Sequence, residues 1–83
     1  MEQVLSRAAR NAINDLELPC EVVDVASLSD SENWRIEFTP GYGLLSDCFQ
    51  DENGQRYSDD KIIEMIKDHL LLKDEARVRH SER

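Results

Sequence analysis

Trp34, Ile36 and Phe38 alternate with Arg35, Glu37 and Thr39, and no other feature of this chain constrains its fold as tightly. A period of two places the apolar side chains on one face of a strand and the polar ones on the other. A strand with one wet face belongs to an antiparallel sheet, and its dry face has to be covered. The sequence offers a cover on each side of it.

Upstream, Val4, Leu5, Ala8, Ala9, Ala12, Ile13 and Leu16 draw one stripe on a 3.6-residue period. No Gly or Pro interrupts residues 2–16, and Pro19 stops the helix from continuing far. Arg7, Arg10, Asn11 and Asn14 fall on its exposed side. Downstream, Ser58 is a good N-cap, and Asp59 and Asp60 sit in the first turn, where the helix dipole favours carboxylates. Ile62, Ile63, Met65, Ile66, His69, Leu70 and either Leu72 or Lys73 form the inner face of this second helix. Beyond Leu72 only Ala76 and Val78 continue the apolar pattern. Residues 73–83 are therefore predicted as a charged helical extension or a frayed tail, with Glu75 placed to pair with Arg79 one turn on.

Between the helices, Cys20 to Ala26 is rich in β-branched residues and reads as a strand, although strict alternation would put Val22 on the same face as Asp24. Ser29 to Asn33 is a polar turn, and Pro40-Gly41 fits the centre of a type II turn. Asn53-Gly54 is a strong hairpin signal. A two-residue loop there would set Asp51 opposite Arg56 and Gln50 opposite Tyr57, with a third strand near 45–51 and a short return at 55–57. Whether 42–57 is one strand or a hairpin stays open at this point.

The expected fold is α+β: a single small domain over residues 1–72, ordered helix, two or three antiparallel strands, helix, with both helices packed on one face of the sheet. Eighty-three residues leave room for one domain and a modest core. That core is expected to hold Leu5, Ala9, Ile13, Val23, Val25, Trp34, Ile36, Phe38, Ile62, Ile66 and Leu70.

The formal net charge is -8, and it is not spread evenly. Residues 11–60 carry twelve acids against Arg35 and Arg56, whereas residues 1–10 and 61–83 each have one cation in excess. The acidity thus belongs to the sheet, its turns and the start of the second helix. Such a field repels nucleic-acid phosphate and anionic lipid, and it fits a basic protein surface.

Chemical constellations are thin. Residues 49–60 approach a calcium loop at Asp51, Asn53, Gly54 and Asp60, but Phe49 stands where the first ligand is needed and Asp60 where a bidentate Glu is needed. Cys48 and His69 have no diagnostic spacing for a thiol nucleophile and its base, and His69 lies on the helical core stripe. Two histidines, His69 and His80, and two distant cysteines lack zinc-ligand spacing. Gly41 and Gly43 begin a phosphate-loop pattern that goes no further. No catalytic residue, metal or cofactor is expected.

The helix, three strands, helix order resembles the double-stranded-RNA-binding topology, in element order only. That family's second helix opens on a lysine cluster that grips phosphate, and here the same place reads Ser58-Asp59-Asp60-Lys61. The charge is reversed at the needed contact, so nucleic-acid binding is disfavoured.

The longest unbroken apolar run is Leu70-Leu71-Leu72, far short of a membrane span, and the first twenty residues hold no apolar signal core. A cytoplasmic protein with reduced Cys20 and Cys48 is expected. The functional expectation is a small acidic interaction module, adaptor or inhibitor, that meets a basic partner protein through Asp30, Glu32, Arg35, Glu37, Asp47, Asp51 and Glu52. The alternative is a structural homodimer associating through Leu71 and Leu72 on the second helix.

Overall fold

The computed structural model describes residues 1–29 and 32–81, and its order is α1 (Glu2–Leu16), β1 (Val22–Ser27), β2 (Trp34–Phe38), β3 (Leu44–Asp47) and α2 (Asp59–Ser81). The three strands form one antiparallel sheet in the order β1-β2-β3. Both helices cover one face, as the alternation of β2 requires.

The α1 stripe buries Leu5, Ala8, Ala9, Ala12 and Ile13. Three alanines among these five let the helix lie close to α2, and Asp15 and Lys67 bridge the two helices at 3.0 Å. The helix ends on Glu17 in left-handed conformation (φ 54°), whose N–H reaches the Asn14 carbonyl while that of Leu18 reaches the Ile13 carbonyl. These bonds satisfy carbonyls that the helix end would otherwise leave bare. In α2, Ser58 caps as its type predicts: its hydroxyl accepts from the Lys61 N–H at 3.2 Å. Ile62, Ile66 and Leu70 follow at four-residue spacing and are fully buried. Each such side chain contributes about 1.5–3 kcal/mol relative to exposure.

The strand register explains the broken alternation of β1. Val22 pairs with Phe38 and Val25 with Ile36, but Asp24 pairs with Glu37, so one extra residue sits between Val22 and Asp24. This is a β-bulge. It returns Val22 and Val25 to the helix side together and turns Asp24 to the open face. Val23 is the residue left over, and it is 57% exposed, not part of the core.

Tyr42, Phe49 and Cys20 join the core instead. Trp34 and Val25 pack against it partly buried. The Pro40-Gly41 turn forms as expected, with the Tyr42 N–H on the Thr39 carbonyl at 3.0 Å and Gly41 at φ 103°.

β3 is shorter and earlier than the sequence suggests, and the following hairpin has another register. Gln50 pairs with Arg56, and the Asp51 N–H bonds to the Gln55 carbonyl. The loop is therefore three residues, Glu52-Asn53-Gly54: a type I turn closed by Gly54 in left-handed conformation (φ 79°). Asp51 selects it, because its Oδ1 accepts from the N–H groups of both Asn53 and Gln55. The expected pairing of Asp51 with Arg56 is thus shifted by one residue.

The inner stripe of α2 closes at Leu70, and Leu72 is 67% exposed. The helix itself continues to Ser81.

Candidate functional site

The residues singled out from the sequence fall into three places. Glu37 and Arg35 lie on the open face of the sheet, at the centre of β2. There Glu37 has Asp24 on one side and Leu44 on the other, and Arg35 has Ala26 and Ser46. Arg35 reaches across to Asp24 at 3.4 Å. Its Nε is buried without a hydrogen-bond partner among the described residues.

A second group gathers where β3 leaves the sheet. Asp47 opposes Trp34, so the strand end and the β1–β2 turn lie at the same end. Glu32 is exposed in that turn, Asp51 and Glu52 are exposed in the hairpin, and Asp59 and Asp60 are exposed on the first turn of α2 beside it. Arg56 links the hairpin to the helix through Asp59 at 2.9 Å. Asp30 lies outside the described residues.

Asp47 stands apart. Its register puts it on the helix side of the sheet, and its Oδ1 accepts from the Phe49 N–H at 2.8 Å. Phe49 is left-handed (φ 56°) and fully buried. That conformation costs a non-glycine residue about 1–2 kcal/mol, which the burial of the ring offsets. Asp47 and Asp51 thus each commit one oxygen to shaping the chain, while Glu32, Glu37 and Glu52 commit none among the described residues.

The remaining expected residues, Leu71 and Leu72, are 48% and 67% exposed on α2, with Val78 at 48%.

Sequence reasoning missed the cluster at the opposite end of the sheet. Tyr42 follows the Pro40-Gly41 turn and is buried to 1%. Its hydroxyl donates to Asp74 Oδ1 at 2.8 Å and accepts from Arg77 Nη1 at 2.6 Å. The Arg77 guanidinium also lies 4.8 Å from the centre of the Tyr42 ring. Burial, reinforced by the Asp74 carboxylate, raises the Tyr42 pKa, so the phenol stays protonated and can donate. His69 Nε2 donates to the Tyr42 carbonyl at 2.9 Å, and the imidazole stacks on Phe38 with centroids 5.6 Å apart. Burial lowers the His69 pKa. Beside this cluster, burial raises the pKa of the Cys20 thiol, which donates weakly to the Glu21 carbonyl.

This cluster fastens α2 to the β2–β3 turn, and nothing in it is arranged as a nucleophile beside its base. Cys48 donates to the Gln50 carbonyl and His69 to Tyr42, so the two do not form a pair. The one local signal was an aromatic residue between two glycines, Gly41 and Gly43, where an exposed turn would favour a polar one.

Among the described residues, no group of three or more His, Cys, Asp or Glu side chains is placed to hold a metal ion. No described helix is long and apolar enough to cross a membrane. Set against known proteins, the chain has no significant match to any protein-family model, curated protein or solved structure.

Proposed function

We propose that this chain is a small non-catalytic interaction module that docks an acidic surface on a basic partner protein, as an adaptor or inhibitor does. The surface is the open sheet face around Glu37 together with the end formed by Glu32, the Asp51-Glu52 hairpin and the α2 N-terminus. The observation that carries this reading is the distribution of ion pairs. Arg35, Arg56, Lys67, Arg77 and Arg79 are each within 4.0 Å of a carboxylate of the same chain. Lys61 lies over the Tyr57 ring instead. Glu32, Glu37, Asp51, Glu52 and Asp60 have no cation at ion-pair distance among the described residues.

Unneutralised acids on one surface create a field that steers a cationic partner and repels phosphate. The reading places the protein in the cytoplasm, with Cys20 and Cys48 as free thiols. The test is a pull-down from the native host at low and high salt, comparing the natural chain with the Glu37→Lys, Glu52→Lys double variant, which leaves the hairpin-shaping Asp51 in place. Retention lost both at high salt and in the variant supports the reading; retention indifferent to both sinks it.

A second reading rests on Leu71 and Leu72, whose exposure on α2 would suit self-association as a homodimer. Light scattering over a range of concentrations decides it: a monomer throughout removes the dimer.

A further inference from the structure

Internal pairing does not extend to every cation: Lys61, Lys73, Arg7 and Arg10 form no ion pair among the described residues. Arg7 and Arg10 have no carboxylate at ion-pair distance among the described residues, although the chain has a large excess of acids. Both project from the outer side of α1 into a groove of about 680 Å³ between that helix and β1. Such a volume lies within the roughly 300–1,000 Å³ of clefts that take ligands.

The floor of the groove is as informative as its wall. Among the described residues β1 is an edge strand that pairs with β2 alone, so alternate N–H and C=O groups along its other side are open to a new strand. The bulge turns the extra residue, Val23, toward the groove, where it supplies an apolar contact. The helical wall adds amide side chains, Gln3 and Asn14 among them. The two walls match in length: α1 spans about 22 Å and β1 about 20 Å. Glu2 and Asp24 also border the groove, but Asp24 is engaged by Arg35 and Glu2 sits at the first turn of the helix.

We propose that this groove binds an extended acidic segment of a partner protein, added as a strand along the free edge of β1 with its carboxylates against Arg7 and Arg10. Backbone pairing with β1 supplies the affinity, and the arginines select the sign of the charge. This site is distinct from the acidic surface and does not depend on it.

The experiment uses the full chain labelled with ¹⁵N and three synthetic peptides: one alternating Thr and Glu, one alternating Thr and Lys, and the Thr-Glu peptide with alternate backbone nitrogens methylated. The Thr-Glu peptide is expected to slow amide exchange in Val22–Ser27 and to shift the resonances of Arg7 and Arg10. The Arg7→Gln, Arg10→Gln variant should weaken it by roughly fivefold or more. Both substitutions are on exposed helix positions, so the variant should keep the natural spectrum elsewhere. Equal binding of the lysine or the methylated peptide overturns the proposal. So does the absence of binding up to about 1 mM peptide, perturbation away from β1, or pairing of β1 with a second copy of the chain.

Discussion

The two ends of the sheet use charge in opposite ways. At the β2–β3 turn, Tyr42, Asp74, Arg77 and His69 satisfy one another, and α2 is fixed to the sheet by them. At the other end the hairpin and the first turn of α2 expose Asp51, Glu52 and Asp60 with no cation in reach among the described residues. The first end spends its polar groups on the fold. The second holds its shape with backbone bonds to Asp51 and Asp47 and with the Arg56–Asp59 pair, and leaves Glu32, Glu52 and Asp60 to solvent. A net charge alone conceals this division.

The largest effect is expected from removing the ring that anchors the first end. Tyr42→Ala should cost about 3–5 kcal/mol in urea unfolding, the range for deleting a large buried aromatic. Tyr42→Phe keeps the ring and should cost about 1 kcal/mol through the lost hydroxyl bonds. If the two variants were equally stable, the ring would not be an anchor.

Gly41→Ala comes next. A methyl there would meet Arg77 Cδ and Nε at 3.2 Å, on a backbone at φ 103° that L residues rarely adopt. A loss of about 1–2 kcal/mol is expected. The same substitution at Gly54, where a methyl would meet nothing within 4 Å, suffers the backbone strain alone.

His69 gives a smaller, pH-dependent effect. Burial holds its pKa below the ordinary value of 6.5, so between that value and the lowered one the unfolded chain binds more protons than the folded one. Stability from this residue is complete above the unfolded pKa and falls as pH drops through 6.5 toward the lowered value. Urea midpoints measured from pH 7.5 to 5.5 should decline, and His69→Gln should flatten that decline. A midpoint rising on acidification across this window would contradict the assignment.

The smallest effect belongs to the other end. Replacing Glu32, Glu37 and Glu52 by Gln should alter stability by no more than about 0.5 kcal/mol, since these carboxylates hold no ion pair among the described residues. A larger loss would mean that these three glutamates also serve the fold.

What the sequence discloses is what periodicity and local chemistry encode. The α1 stripe, the β2 alternation, the Pro40-Gly41 turn and the Ser58 cap are all set by residues within one or two turns of each other. The bulge at Val23 shows only as a broken alternation between Val22 and Asp24, which does not say which residue is the extra one. The hairpin register was missed because Asn-Gly serves two loop lengths, and the choice falls to the Asp51 side chain. The Tyr42 cluster joins positions 27 to 35 residues apart, beyond any short-range pattern. The acidic residues could be read as a belt, but their division between open face, hairpin and the structural role of Asp47 required the strand register.

The most direct test is a ¹⁵N titration of the full chain with a lysine-rich peptide, run at low and high salt. Shifts are expected to gather at Glu32, Glu37, residues 50–56 and the start of α2, and to disappear as salt screens the charges. Shifts of equal size around Asp74 and Glu75, or shifts that survive high salt, would contradict the acidic docking surface.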